Sequence, residues 1–307
     1  QSNYKTARAS LANFLHEELQ WEANRIVLPV PIDAIIAWVA HLTNKKMRAS
    51  TIAGYVSSLS ILYKTRQLTP PGQDHQIVLM LNGLKRLQFE EGQGNTVRSW
   101  AVTSERLELM CNALAKLPPR LASTGPDDIH MLRAAYHVAH FCCLRVGEIA
   151  PKESWRFIYF YKLIRTPTYV TSRSRGTTAP RTGEWSLEIK LPMSKTDKYG
   201  QGSTRLMSDE QGVVLFKRYI NQSWLPALRT RPKSPLFLFT DGRPLTYNLW
   251  STILRKVMDL IPRHLRAEYR GVSFRAGGAT ELANQGANLN EIMTAGGWTS
   301  TAVARYI

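Results

Sequence analysis

Val272-Ser273-Phe274-Arg275-Ala276-Gly277-Gly278-Ala279-Thr280, followed by Gly296-Gly297-Trp298 and Arg305-Tyr306, is the stretch on which the fold of this chain turns. Gly277, Gly278 and Ala279, with Leu282 one turn on, give a helix that begins close to Arg275 a face that the pattern predicts to be packed very tightly on its neighbour. The Arg275 guanidinium would then lie beside the helix N-terminus, where backbone N–H groups favour an anion.

Two upstream segments supply polar groups of the same kind. Leu144-Arg145-Val146-Gly147-Glu148-Ile149 follows a helical run and spaces Arg145 and Glu148 three apart, so on one turn the carboxylate can orient the guanidinium. Taken alone this is an ordinary helix-end ion pair. Lys195 stands in Ser194-Lys195-Thr196-Asp197-Lys198-Tyr199-Gly200, a loop between two strand-like runs, where a lone lysine would simply be solvated.

Charge gives the partner. Forty Lys+Arg against 23 Asp+Glu leave +17 on 307 residues, a self-repulsion that a polyanion relieves, and nucleic acid is the default polyanion. No apolar stretch approaches the roughly 18 residues that cross a bilayer, and no secretory leader is visible, so no membrane partner is expected. Three cysteines, Cys111, Cys142 and Cys143, make no disulfide framework and no zinc spacing; buried thiols in a reducing compartment are expected. The first residue is Gln1 rather than Met, as in a trimmed chain.

The expected fold is mainly α with a small antiparallel β-sheet, in two domains. Residues 1–90 read as a basic helical domain. Its helices are predicted over Ser10–Trp21, from Pro31-Ile32-Asp33 through Leu42, from a Ser50 N-cap through Tyr63, and over Asp74–Gln88. Lys45, Lys46 and Arg48 precede the third helix, Lys64 and Arg66 follow it, and Lys85 and Arg86 end the fourth, as candidate DNA contacts. Residues 91–95, within Glu-Glu-Gly-Gln-Gly-Asn, read as a linker. Residues 96–307 read as a mixed α/β domain. Thr103 or Ser104 caps one helix and Asp127-Asp128 begin a longer one through Cys143. Strands are predicted at Arg156–Tyr161, Thr168–Ser172, Trp185–Leu191, Ser203–Met207 and Pro235–Phe239, and Thr246 caps a helix over 247–260.

In this order Arg145-x-x-Glu148, Lys195 in Ser-Lys-Thr-Asp, Arg275 in Ser-Phe-Arg-Ala-Gly-Gly-Ala-Thr, Gly-Gly-Trp298 and Tyr306 resemble the catalytic set of the tyrosine recombinase (integrase) superfamily. The resemblance spans most of the chain, and Thr51-Ile-Ala-Gly-Tyr-Val-Ser-Ser-Leu is similar to the family's core-binding helix. The motif wording is closest to recombinases of eukaryotic mobile elements, crypton or DIRS-like. The resemblance implies a helical core-binding domain and a tyrosine-recombinase catalytic domain that cleave and rejoin double-stranded DNA through a 3′-phosphotyrosine intermediate. It implies neither ATP nor a metal, and a homo-oligomer, dimer or tetramer, on DNA. The location implied is DNA-associated: the nucleus in a eukaryotic host, otherwise the cytoplasm or nucleoid.

The chemistry explains these residue types. Attack on a phosphodiester adds charge to its non-bridging oxygens, and two arginine forks, Arg145 and Arg275, suit them. A phenol with pKa near ~10 needs cationic neighbours to act at neutral pH. The departing 5′ oxygen needs a proton, for which the resemblance implies Lys195, with Lys198 as its alternative and as a DNA contact.

The chain departs from the family pattern at three places. Val272 stands where the family usually has His, three before the second arginine. Trp298 stands where many relatives have His, with an indole N–H that can donate while the ring packs by the nucleophile. Tyr306 lies eight positions after Trp298 where about nine is commoner. Only Ile307 follows it, so a subunit-coupling tail is expected to be trimmed or incompletely ordered. Three functions stay open: a site-specific recombinase or transposase, a non-enzymatic DNA-binding protein derived from one, and a type IB topoisomerase.

Overall fold

The computed structural model describes residues 2–22, 28–92, 100–117, 126–152, 157–165, 185–192, 200–230, 234–265 and 269–307. The chain divides into two compact units, Gln1–Val97 and Arg98–Ile307, each with its own apolar core.

The first unit contains α1 (Ser2–Glu17), α2 (Ile32–Asn44), α3 (Ala49–Thr65) and α4 (His75–Glu90). Leu15, Ile35, Trp38, Val39, Ile52, Val56 and Ile77 fill its centre, each worth roughly 1.5–3 kcal/mol on burial for residues of this size. The Tyr63 hydroxyl accepts from the Val30 N–H at 2.7 Å, tying the end of α3 to the chain entering α2.

Several helix boundaries differ from the sequence reading. The first helix begins at Ser2, because Ala7 continues the buried stripe of Leu11, Phe14 and Leu15 back into a polar segment. It stops before Trp21, where Gln20 takes a left-handed φ of 56°. Ser50 is not the cap of α3, which starts at Ala49 with no side-chain cap from its own N-terminus. Gln88 on α4 does this work: its Oε1 accepts from the Ala49 N–H at 2.7 Å while its Nε2 donates to the Met47 carbonyl at 2.9 Å. The fourth helix is capped by Asp74, which accepts from Gln76 and Ile77, and runs on to Glu90. Lys45, Lys46, Arg48, Lys64, Arg66, Lys85 and Arg86 are all exposed.

The second unit contains α5 (Ser104–Leu114), α6 (Pro126–Phe141), α7 (Val146–Ile149), β1 (Phe160–Arg165), β2 (Trp185–Leu191), β3 (Ser203–Met207) and α8 (Glu210–Tyr219). A π turn leads into α9 (Leu225–Thr230), and α10 (Tyr247–Leu260), α11 (Ser273–Asn284), α12 (Leu289–Gly296) and a 3₁₀ turn at Thr301–Arg305 follow. The sheet is an antiparallel meander, β1-β2-β3, with Leu187 opposite Leu163 and Met207. Leu187, Ile189 and Leu191 share its buried face, as the alternation in the sequence requires. The protein is therefore mainly α with one small antiparallel sheet.

The strand reading needs correction at both ends. The first strand is Phe160–Arg165, four residues beyond the predicted Arg156 start; Thr168–Ser172 lies outside the described residues. Pro235–Phe239 joins no sheet among the described residues; it makes a bridge from Leu238 to Pro244, and the Leu236 N–H donates to the Ile158 carbonyl at 2.6 Å. A side chain replaces the missing strand: the Tyr219 hydroxyl donates to the Leu236 carbonyl at 2.8 Å and accepts from the Leu238 N–H at 3.1 Å. Thr103, not Ser104, caps α5, and Thr246 caps α10.

The sixth helix ends at Phe141, short of the predicted Cys143, because Cys143 adopts a left-handed φ of 49°. That turn sets up α7. Tight packing of α11 is as the glycines imply: a Cβ at Gly277 would overlap the Val102 carbonyl oxygen, and one at Gly278 the His140 carbonyl oxygen. Cys111, Cys142 and Cys143 are free and buried. Among the described residues no helix is long and apolar enough to cross a membrane.

Beneath α11, both ring nitrogens of His140 are buried without a hydrogen-bond partner. Burial, reinforced by neighbouring His137, pushes its pKa down to about 4. The unfolded chain takes up this proton near pH ~6.5, and the folded one does not until near 4. Stability should therefore fall as pH drops through that window, by on the order of 3 kcal/mol in total. Urea unfolding of the whole chain between pH 7 and 4 checks this. His140→Gln should flatten the slope, and an unchanged slope would assign the acid sensitivity elsewhere.

Candidate active site

Arg145 is the N-cap residue of α7, and Glu148 closes on it twice: Oε2 accepts the Arg145 N–H at 2.9 Å and Oε1 accepts Nη1 at 2.8 Å. The one-turn spacing makes this possible, and it holds the guanidinium in place while leaving it 30% exposed. Glu148 itself is buried, and its Oε2 also lies 3.8 Å from Arg275 Nη1. One carboxylate thus stands between two arginines.

Arg275 is only 2% exposed. Its Nη1 donates to the Cys143 carbonyl at 2.8 Å, the group that the left-handed turn after α6 presents, whereas its Nη2 is buried with no partner. Burial, followed by the repulsion of Arg145, pushes its pKa down to about 10, partly offset by Glu148. A buried donor left unmade is rare in folded proteins and calls for a reason.

Trp298 covers that guanidinium, with the Arg275 carbon 3.8 Å from the ring centroid. Its position depends on the two glycines before it. A Cβ at Gly296 would overlap the Trp298 ring, and Gly297, at φ +63°, ends α12 in the left-handed conformation. The chain then turns extended at Ser300 and enters the 3₁₀ turn, anchored by fully buried Val303 in a small cluster with Ala279 and Ile292. Tyr306 follows directly, its ring centroid 6.3 Å from that of Trp298. Its carbonyl accepts from Thr280 Oγ1 at 2.6 Å, which pins the end of the turn back onto α11.

These pieces surround one cleft of about 470 Å³, lined by Arg145, Val272, Arg275, Trp298 and Tyr306 among others. Val272 borders the cleft as a purely apolar surface, at the N-cap of α11. Neighbouring Ser273 is buried and accepts the Arg270 N–H at 2.8 Å, so it serves the helix start. Lys195 and Lys198 lie outside the described residues, and the seven exposed cations named above belong to the first unit. Among the described residues no group of His, Cys, Asp and Glu could hold a metal ion.

The sequence reading missed Tyr247, which also lines the cleft and carries Lys152 Nζ 5.2 Å above its ring. It also missed Arg205, buried on β3. A signal for Arg205 did exist: Ser203, Arg205 and Met207 share one face of the strand, and a cation there interrupts an inward row.

No protein-family model matches the sequence, and no curated protein matches it. Solved structures do resemble it. The XerH site-specific recombinase bound to palindromic difH substrate, in a post-cleavage complex, aligns over 99% of this chain and 74% of its own, at TM-score 0.58 and 15% identity. The Tn1549 transposon integrase in complex with circular intermediate DNA aligns over 100% and 89%, at TM-score 0.57 and 16% identity. A lambda integrase dimer bound to a COC′ core site aligns over 99% and 86%, at TM-score 0.54 and 14% identity. The fold of this chain is that of the tyrosine recombinases.

Proposed function

We propose that this protein is a site-specific DNA recombinase or transposase that cleaves and rejoins DNA through a covalent 3′-phosphotyrosine at Tyr306. The observation that carries the proposal is the convergence of Arg145, Arg275, Trp298 and Tyr306, from separate elements, on one cleft whose buried Arg275 Nη2 has no protein partner. The neighbours in fold are recombinases and integrases bound to DNA.

In this mechanism a scissile phosphate enters the cleft and its non-bridging oxygens meet the donors that Arg145 and Arg275 do not commit to Glu148 and Cys143. The Tyr306 oxygen attacks phosphorus as its proton passes to solvent water, favoured by the two cations. The new P–O bond to tyrosine forms while the P–O5′ bond breaks, and the 5′ oxygen takes a proton from Lys195. Reversal with another strand's 5′ hydroxyl rejoins DNA, so neither ATP nor a metal enters the balance. The exposed cations of the first unit contact backbone phosphates and give salt-dependent affinity. Assembly as a homo-oligomer on DNA, a DNA-associated location and kinship to eukaryotic mobile elements belong to the same proposal.

A duplex nicked next to the cleavage site, which traps the 3′-phosphotyrosyl adduct by losing the short 5′ product, tests it. A denaturation-resistant protein–DNA band is expected. Binding without any band would instead support a non-enzymatic DNA-binding protein, the reading that Val272 favours by bringing no donor to the cleft. Val272→His should raise the rate of adduct formation on the order of 10- to 100-fold, at or below the range of a positioned proton donor. An unchanged or slower rate would mean that the site has no need of a group there.

A further inference from the structure

We propose that Arg205 is a positioning residue of this cleft, holding the Gly296-Gly297-Trp298 turn so that Trp298 stays seated on Arg275. The inference rests on reading the cleft as a phosphoryl-transfer site. Arg205 is 6% exposed on β3, on the same strand face as buried Met207. Its Nη1 donates to the Thr204 carbonyl at 2.9 Å, and its Nε is buried with no partner. No carboxylate among the described residues pairs with it. Burying a cation on such terms is costly, and its charge adds to the field that lowers the Arg275 pKa.

Contact decides what Arg205 does. A Cβ on Gly297 would overlap the Arg205 guanidinium, so the fork lies against the backbone of the turn that carries Trp298. The twelfth helix and β3 are packed together at this point. Gly297 is therefore required twice, by its left-handed φ and by the guanidinium beside it. Lys195 precedes β3 in the chain and Trp298 follows α12, so the contact joins the strand leaving the Lys195 loop to the element leading into Tyr306.

Arg205→Gln and Arg205→Lys, alone and combined with Trp298→Ala, test the inference by single-turnover adduct formation, DNA affinity, and hydrogen exchange over residues 296–300. Arg205→Gln should slow adduct formation by up to about 10²-fold, as a small misplacement does, with DNA affinity unchanged. Arg205→Lys keeps the charge without the fork and should fall between. Both should speed exchange in the turn. Because Arg205 acts through Trp298, Arg205→Gln should add little in the Trp298→Ala background. Fully additive losses, or wild-type rate and exchange in Arg205→Gln, would overturn the inference. If Arg205→Gln fails to fold, the lysine variant decides by the same readouts. If the wild-type chain forms no adduct, the recombinase reading fails separately and exchange alone judges the Arg205 contact.

Discussion

Tyr306→Phe is expected to abolish the covalent protein–DNA adduct while leaving DNA binding close to wild type. The variant removes one oxygen, and that oxygen is the atom proposed to form the new bond to phosphorus. No other described phenol can replace it on geometric grounds except Tyr247, the second tyrosine bordering the cleft. The two have different supports. Tyr306 is held by the Val303 anchor and by Thr280 on α11, whereas Tyr247 opens α10. An adduct that persists in Tyr306→Phe and disappears in Tyr247→Phe would move the nucleophile across the cleft. The phenylalanine ring keeps the contact with Trp298, so folding should be unaffected. Lost ground-state binding should not exceed one hydroxyl hydrogen bond, about 1 kcal/mol or roughly five-fold. A gel-shift titration beside the adduct assay separates the two effects; a collapse of binding equal to the loss of adduct would make Tyr306 a DNA contact instead.

Much of this arrangement was legible in the sequence where the signal is local. Trp185–Leu191 alternates because one face of β2 is buried, and Arg145 and Glu148 find each other because one helical turn separates them. Glycines at 277 and 278 announced a close approach without saying to what. The unread parts depend on contacts distant in sequence. Ser50 fits the local pattern of a cap, but Gln88 reaches back from α4 and occupies that role. Pro235–Phe239 has the composition of a strand, yet its backbone is satisfied by the Tyr219 hydroxyl together with backbone groups of Ile158, Arg243 and Leu245. At the site, spacing indicates that Glu148 can hold Arg145, while its approach to Arg275 and the hold of Cys143 on that guanidinium follow only from the turn after α6. The inward row of β3 could have flagged Arg205, but its role could not be read, since nothing near it in the chain shows that Gly297 lies against its fork.

Arg275→Met is expected to separate stability from cleavage. The fold bears a cost for this guanidinium at neutral pH, because its pKa is held down to about 10 from an ordinary value of 12.5, chiefly by burial. The sign is that of a cation disfavoured in the folded state. Below pH 10 both folded and unfolded chains carry the proton, so the penalty is constant there, on the order of 3 kcal/mol. It would be relieved only as pH rises through 10. Methionine fills similar space without charge and ends the repulsion of Arg145 and Arg205. Glu148 is not orphaned, since Arg145 still pairs with it, and the principal loss is the hydrogen bond to the Cys143 carbonyl, about 1 kcal/mol. Replacing buried ionic groups by apolar ones is often neutral or stabilising. Chemical unfolding of Arg275→Met should therefore show unchanged or increased stability. Adduct formation should fall by about 10²–10³-fold, the effect of removing a donor aimed at developing charge. DNA should also lose its power to stabilise this part of the chain, because on the proposed reading a bound phosphate supplies the acceptor that Arg275 Nη2 lacks. A variant both less stable and still active would mean that the guanidinium is structural, and that the buried Nη2 has some purpose other than phosphate.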